Sequence, residues 1–415
     1  MSLQFILGNS GSGKSSFLYQ KVIEESMAHP MENYLILVPE QFTMQTQKEL
    51  VSLHPKHAIM NIDVLSFNRL AFRVFDELGK TDFVVLEETG KNLVIRRCAM
   101  EHKKELTLLG GSMEKNGYIS QVKSMISELA QYRIEPEQMD RILEGLEGQP
   151  RLYYKWKDIG ILYQAFQERM AKDYVTAEEL LEVLAEHAEE SGLLSGCTIA
   201  LDSYTGFTPI QLALLKKLLP LAKKILVTVT VDPRTDWGKP GKMHELFYLS
   251  QKTIQSLTNL CKETGTEILE SVILGRKGVR RFNGRPALAF LESHLFRTGK
   301  NYFAGGIFYL EKPSDEISIH ACANPREEAE FAARTILKLT REQKLAFREI
   351  ALISGDMETY AREIRRVFPK YGIPCFIDET KRVLLNPFLE FMKAALEMLI
   401  RDYSYETVFR FLRCG

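Results

Sequence analysis

Eight residues near the start constrain the fold more than any other feature of the chain. Gly8-Asn9-Ser10-Gly11-Ser12-Gly13-Lys14-Ser15 satisfies GxxxxGK[ST] and stands between a short apolar run, QFIL, and a helical pattern opening at about Lys14. A strand that turns through glycines straight into a helix aims several backbone N–H groups and the positive end of the helix dipole at one spot, a cradle for phosphate. Gly8, Gly11 and Gly13 let the backbone curl. Lys14 adds charge near the β and γ oxygens, and Ser15, followed by Ser16, brings a hydroxyl able to complete Mg2+ coordination. A plain glycine turn before a helix is the bland alternative.

Around this motif, apolar runs alternate with helical patterns: QFILG, YLILVP and NIDVLSF, each followed by a helix, then after a long interval CTIALDSY and KILVTVTVD. That rhythm predicts a five-stranded parallel sheet with crossover helices. The interval 84–194 reads as amphipathic helices with hardly a β-branched run, so an all-helical insertion is expected to split one α/β domain into 1–83 and 195–275. Residues 276–312 read as a linker. A second α/β set at 313–385 carries ISIHACA, EIALISG and GIPCFI as its strands, and 386–415 opens a further, cut domain. Asn324, Pro325 and Glu327 form a helix-start signal for that second set. The fold class expected is α/β, with two RecA-like P-loop NTPase domains built on parallel sheets.

A nucleotide site of this type needs a carboxylate at the end of a neighbouring strand to hold Mg2+, and Asp202 is the best placed, with a turn-capping role as the alternative. The next position, where a helicase-type site would carry a glutamate as general base, is Ser203. Positioned bases contribute about a hundred- to ten-thousand-fold, so the sequence favours holding nucleotide over splitting it quickly. Gln41 after the second strand, and Ser66, Asn68 and Arg69 after the third, lie at the carboxyl edge where open sheets bind ligands; they are candidate DNA contacts or simple polar caps. Asp232 could sense a γ-phosphate or close a turn. The run Arg276 to Arg285 holds five positive charges and no acid, so Arg280 and Arg281 are candidate contacts to nucleic-acid phosphates, unless the run is a solvated linker.

Composition excludes several classes. Fifty-four Lys and Arg against fifty-four Asp and Glu leave no global positive field to coat DNA, so any such contact must be local. Six cysteines, the closest pair being Cys375 and Cys414, form no CxxC pair and suit a reducing cytoplasm. The first residues lack a basic secretory start, and Lys216-Lys217 and Lys223-Lys224 interrupt the longest apolar stretches, so no membrane partner is expected. His54 and His57 are near neighbours without the acidic pattern of a zinc site.

Taken together, LGNSGSGKS, YLILVPEQFTMQTQKEL, VLSFNRLAFRVFDELG, IALDSYTGFTPIQ, NPREEAEFAARTIL and ALISGDMETYAREIRRVFPKYGIPCFIDETKRVLLNPFLEF resemble the N-terminal part of the AddB family, one of the two chains of bacterial AddAB helicase–nucleases, also called RexB. The later block is similar to the second motor domain of UvrD-like superfamily 1 helicases. The resemblance implies ATP phosphates at Gly11, Gly13, Lys14 and Ser15, with Mg2+ facing Ser15 and Asp202. It implies an AddA-type partner, single- and double-stranded DNA, and a helicase-like fold that has lost most motor motifs and helps recognise Chi sequences. The family's nuclease and iron–sulfur cysteines lie far toward the C-terminus, so neither is expected in these residues. Two other readings stay open: an independent P-loop phosphotransferase with the helical insertion as a lid, and a partner-binding scaffold with a vestigial loop.

Overall fold

The apolar runs become the strands of one parallel sheet, and their burial follows from cover on both faces. A computed structural model describes residues 1–80, 84–134, 138–146, 148–176, 179–239, 241–276, 278–297, 316–378 and 386–414. It falls into two units, Met1–Ile317 and Ser318–Gly415.

In the first unit, β1 (Ser2–Gly8) leads through the glycine loop into α1 (Lys14–Ala28); β2 (Tyr34–Leu37), α2 (Thr43–Leu53), β3 (Ile62–Leu65) and α3 (Phe67–Leu78) follow. The sheet resumes after the insertion with β6 (Thr198–Leu201), α9 (Pro209–Leu218), β7 (Lys224–Thr230) and α10 (Tyr248–Thr264). Two strands that the sequence does not suggest, β8 (Glu267–Ile268) and β9 (Val272–Ile273), pair in parallel with the outer side of β1, each too short to show a period. The order is β3-β2-β6-β7-β1-β8. The chain leaves β1 for β2 and only later fills the gap with β6 and β7, so the strand order switches beside the glycine loop. Crevices at such switch points are where open sheets hold ligands.

One face of the sheet packs Leu35, Leu37, Ile199, Leu201, Ile225 and Val227 against α3, α9 and α10. The opposite face packs Ile36, Val64, Ala200 and Leu226 against α1 and α2. β2 and β6 are buried along their whole length, which is why they read as continuous apolar runs rather than alternating ones.

The insertion differs from expectation in two ways. Helices α4 (Glu88–Glu101), α5 (Asn116–Gln131), α6 (Met139–Glu144) and α7 (Pro150–Asp173) enclose a separate core of Ile95, Ile126, Leu162 and Phe166. The insertion is not all-helical, because β4 (Val84–Leu86) and β5 (Tyr174–Thr176) pair in parallel. Three-residue strands leave no periodicity to detect, although their valines suit the ladder. In addition, α8 (Leu180–His187) puts Leu180, Leu181 and Leu184 into the sheet-covering core together with Leu194, so the stretch 180–194 belongs to the α/β layer. Inside the helical core, the fully buried Asp158 accepts the amides of Thr107, Leu108 and Leu109 at 2.8, 2.7 and 2.8 Å.

In the region expected to link two domains, β9 runs on through the turn Arg280–Phe282 to α11 (Pro286–His294), all within the first unit.

The expected second parallel sheet is not seen among the described residues of the second unit. Its helices form where expected: α12 (Pro325–Glu342), with Asn324 Oδ1 accepting the Glu327 amide at 3.0 Å, and α13 (Met357–Val367), packing Ala333, Ile336, Ile364 and Val367 together. Yet among the described residues, the stretches at 317–322, 350–354 and 373–378 form no ladder. Parallel strands need cover on both faces. Here Ile319, Ile353 and Phe376 stand 94%, 91% and 91% exposed. The stretch α14 (Pro387–Ile400) and α15 (Tyr405–Arg413) is held by Arg410 on Glu390 and Glu397 and by Phe391 on Phe411. Among the described residues no helix is long and apolar enough to cross a membrane.

Candidate nucleotide-binding site

The glycine loop closes at the carboxyl end of β1 with the curl expected of a phosphate cradle. Gly11 and Gly13 take φ of 76° and 91°, left-handed values that side chains resist, and Gly13 then starts α1 with its carbonyl accepting the Phe17 amide. Gly8 is fixed by proximity: a Cβ there would lie 2.8 Å from the Leu274 carbonyl oxygen and 2.5 Å from Ser12 Oγ. The loop thus leads into the first turn of α1, whose leading amides have no intrahelical acceptor and no side-chain cap.

Three elements bring the polar side chains together. Ser15 Oγ, at the start of α1, donates to Asp202 Oδ1 at 3.1 Å. Asp202 stands just past β6, 1% exposed, and also accepts Tyr19 Oη at 2.7 Å and Thr228 Oγ1 at 2.5 Å. β7, lying between β1 and β6, supplies that threonine. Lys14 Nζ folds back onto the Asn9 carbonyl at 3.0 Å. Burial pulls the Lys14 ammonium down from 10.5 to about 8; the Asp202 charge opposes this, Arg281 adds to it, and Glu292 opposes it again. Two buried atoms, Asn9 Oδ1 and Ser12 Oγ, have no partner in the loop. A cradle with a lysine still charged at neutral pH, a hydroxyl unpartnered among the described residues and the leading amides of α1 fits a polyanion. The Ser15–Asp202 pair suits Mg2+, one hydroxyl and one carboxylate being the kind of sparse oxygen set that ion takes. Ser16 sits exposed beside them on the first turn of α1.

Ser203 follows Asp202 at φ 65°, its Oγ 3.4 Å from Asp202 Oδ2. An alcohol there cannot serve as a base at neutral pH. Glu49 of α2 is a carboxyl that sequence reasoning misses: burial and the Asp202 charge together raise its pKa. Tyr19 escapes it as well. This residue falls one helical turn after Ser15, and its hydroxyl pKa is raised by burial and by Asp202. The i, i+4 spacing is the available signal.

The remaining candidates are not gathered at the cradle, apart from Arg281. Ser66 is buried and caps α3, accepting the Arg69 amide at 3.3 Å, and Arg69 pairs with Glu40 at 2.8 Å. Gln41 and Asn68 stand exposed on the same sheet edge. Asp232 is fully buried in a turn: burial favours its neutral form, but hydrogen bonds and charge from Arg234, with Arg297 behind, bring its pKa below the usual value. It therefore anchors a turn, bound to Arg234 at 2.7 Å, and Arg297 links it to Glu292 beside the loop. Arg281 lies against Gly11; the side chain of Arg280 lies outside the described residues.

Residues 5–292 match the family model described as ADDB, N-terminal. The chain belongs to the AddB family. All of it aligns with the AddB-type subunit of the ATP-dependent helicase/deoxyribonuclease of Lachnoclostridium phytofermentans at 42% identity, and with the subunits of the same description from Clostridium tetani and Desulforudis audaxviator at 32% and 34%. It spans 35–36% of the length of these AddB relatives. The family match ends within α11, so it takes in both the phosphate loop and the residues packed over it.

Proposed function

We propose that this chain is the nucleotide-holding, helicase-like part of the AddB-type subunit in a cytoplasmic ATP-dependent helicase–deoxyribonuclease that processes DNA double-strand breaks for recombinational repair. The observation that carries the reading is the glycine cradle with Lys14 inside it and Ser15 hydrogen-bonded to Asp202. Gly8, Gly11, Gly13, Lys14, Ser15 and Ser16 would hold the phosphates, and Ser15 and Asp202 the Mg2+; ATP would supply binding energy and a switchable γ-phosphate.

With Ser203 in place of a base, the site is fitted to retain ATP rather than turn it over. On this reading the AddB chain is an inactive-motor scaffold that guides single-stranded DNA, responds to Chi sequences and works beside an AddA-type motor. The residues expected to touch DNA are Gln41, Asn68 and Arg69 at the edge of the sheet. Residues 318–378 would be the first part of a second RecA-like unit, a reading supported by two capped helices and three strand-like apolar segments. The nuclease and the iron–sulfur cluster would belong to the rest of the longer protein.

Titration with ATP–Mg2+, with and without Lys14→Ala, tests the reading: saturable binding that the substitution abolishes supports it, and equal affinities refute it. Co-elution with an AddA-type protein on gel filtration tests the partner.

A further inference from the structure

The residues after β9 fold back onto the phosphate loop. Leu274 presses its carbonyl against Gly8, Gly275 approaches Asn9 Oδ1, and Glu292 of α11 accepts Asn9 Nδ2 at 2.9 Å. Arg234 donates to the Ser293 carbonyl at 2.8 Å, and Arg297 bridges Asp232 and Glu292 at 3.5 and 3.3 Å. The turn Arg280–Phe282 is thereby held above the cradle.

Within this strap the arginines differ in how they are satisfied. Arg234 and Arg297 are committed to carboxylates. Arg281 is not: among the described residues it makes no ion pair, although its side chain crosses the loop. Its Cδ, Cβ and Nε lie 3.0, 3.2 and 3.2 Å from where a Cβ on Gly11 would be. The left-handed φ of Gly11 favours glycine, and a Cβ there would sit tightly against Arg281. The Arg281 guanidinium and the Lys14 ammonium put two positive charges at one loop, and the Arg281 charge lowers the Lys14 pKa, so an anion between them would be attracted by both. The buried Ser12 Oγ in the same loop, unpartnered among the described residues, is a ready donor to such an anion.

We propose that Arg281 is a second cationic ligand for the phosphates of the bound nucleotide, so that the turn 280–282 clamps the triphosphate from the side opposite α1. The planar fork of a guanidinium suits a phosphate, which offers two acceptor oxygens. This inference rests on the nucleotide-binding reading. It replaces, for this residue, a role in binding nucleic acid.

The test uses the whole 415-residue chain, with ATP–Mg2+ affinity measured by calorimetry for the wild type, Lys14→Ala, Arg281→Ala and Arg281→Met. Methionine keeps an aliphatic stem over Gly11 and removes only the charge. Because Arg281 is exposed, both Arg281 variants are expected to keep the wild-type melting profile. The expected result is roughly a 10- to 100-fold loss of ATP affinity in both, the scale of one charge-assisted hydrogen bond or pair of bonds. An affinity in Arg281→Met within about twofold of wild type, with Lys14→Ala abolishing binding, would overturn the Arg281 role and leave the nucleotide site standing. So would a loss of single-stranded DNA binding with ATP affinity intact. Absence of ATP binding in the wild type would overturn both.

Discussion

Replacing Lys14 by methionine should stabilise the nucleotide-free protein while destroying its nucleotide site. The Lys14 ammonium is pulled from 10.5 to about 8, chiefly by burial. At about 1.4 kcal/mol for each tenfold change in proton affinity, holding that charge in the fold at neutral pH costs roughly 3 kcal/mol. Methionine removes the cost and gives up the bond to the Asn9 carbonyl, a loss of about 1 kcal/mol. Partial solvent screening shrinks the gain further, leaving a net stabilisation of about 1–2 kcal/mol, a rise of a few degrees in the melting temperature of a unit this large.

The pH dependence follows from the same values. The unfolded chain keeps the Lys14 proton up to about 10.5 and the folded chain only to about 8, so between those values the unfolded state binds more protons and wild-type stability rises with pH. The advantage of Lys14→Met should be full below about pH 8 and fade as pH climbs toward 10.5. Denaturant unfolding of both proteins at about pH 7 and about pH 9.5, without nucleotide, reads this directly. A variant less stable than wild type at neutral pH, or an advantage that grows with pH, would refute the reasoning.

Other consequences are equally accessible. ATP turnover should stay near background when single-stranded DNA is added, because Ser203 supplies no base; a phosphate-release assay showing helicase-like stimulation would overturn this. Asp158→Ala should lower stability by about 3 kcal/mol or more, because it orphans three amides in the helical core; denaturant midpoints would show it, and a change under about 0.5 kcal/mol would contradict it. In the native protein, Cys375, which is exposed, should alkylate before Cys197, whose thiol burial pushes up to about 12; mass mapping after brief iodoacetamide treatment checks the order.

The sheet is legible where strands are long and buried on both sides. YLIL and TIAL are unbroken apolar runs because helices cover both faces, and they announce themselves as strands for that reason. β4, β5, β8 and β9 do not, since strands of two or three residues have no period and depend on neighbours brought by tertiary structure. The apolar runs at 317–322, 350–354 and 373–378 have strand-like composition but no paired neighbour among the described residues.

In the site, Lys14, Ser15 and Asp202 are legible because spacing and strand ends locate them. Thr228 and Glu292 are not, since only the strand order and the folding back of α11 bring them in. From sequence, Arg281 is one charge in a basic run, and its position over Gly11 depends on a turn that composition alone describes as a linker.

Calorimetric titration of the chain with ATP–Mg2+ at neutral pH, beside Lys14→Ala, is the most direct test of the central claim. One saturable site per chain, lost in the variant, is the expected result. No heat of binding at millimolar nucleotide, or unchanged affinity in Lys14→Ala, would contradict it.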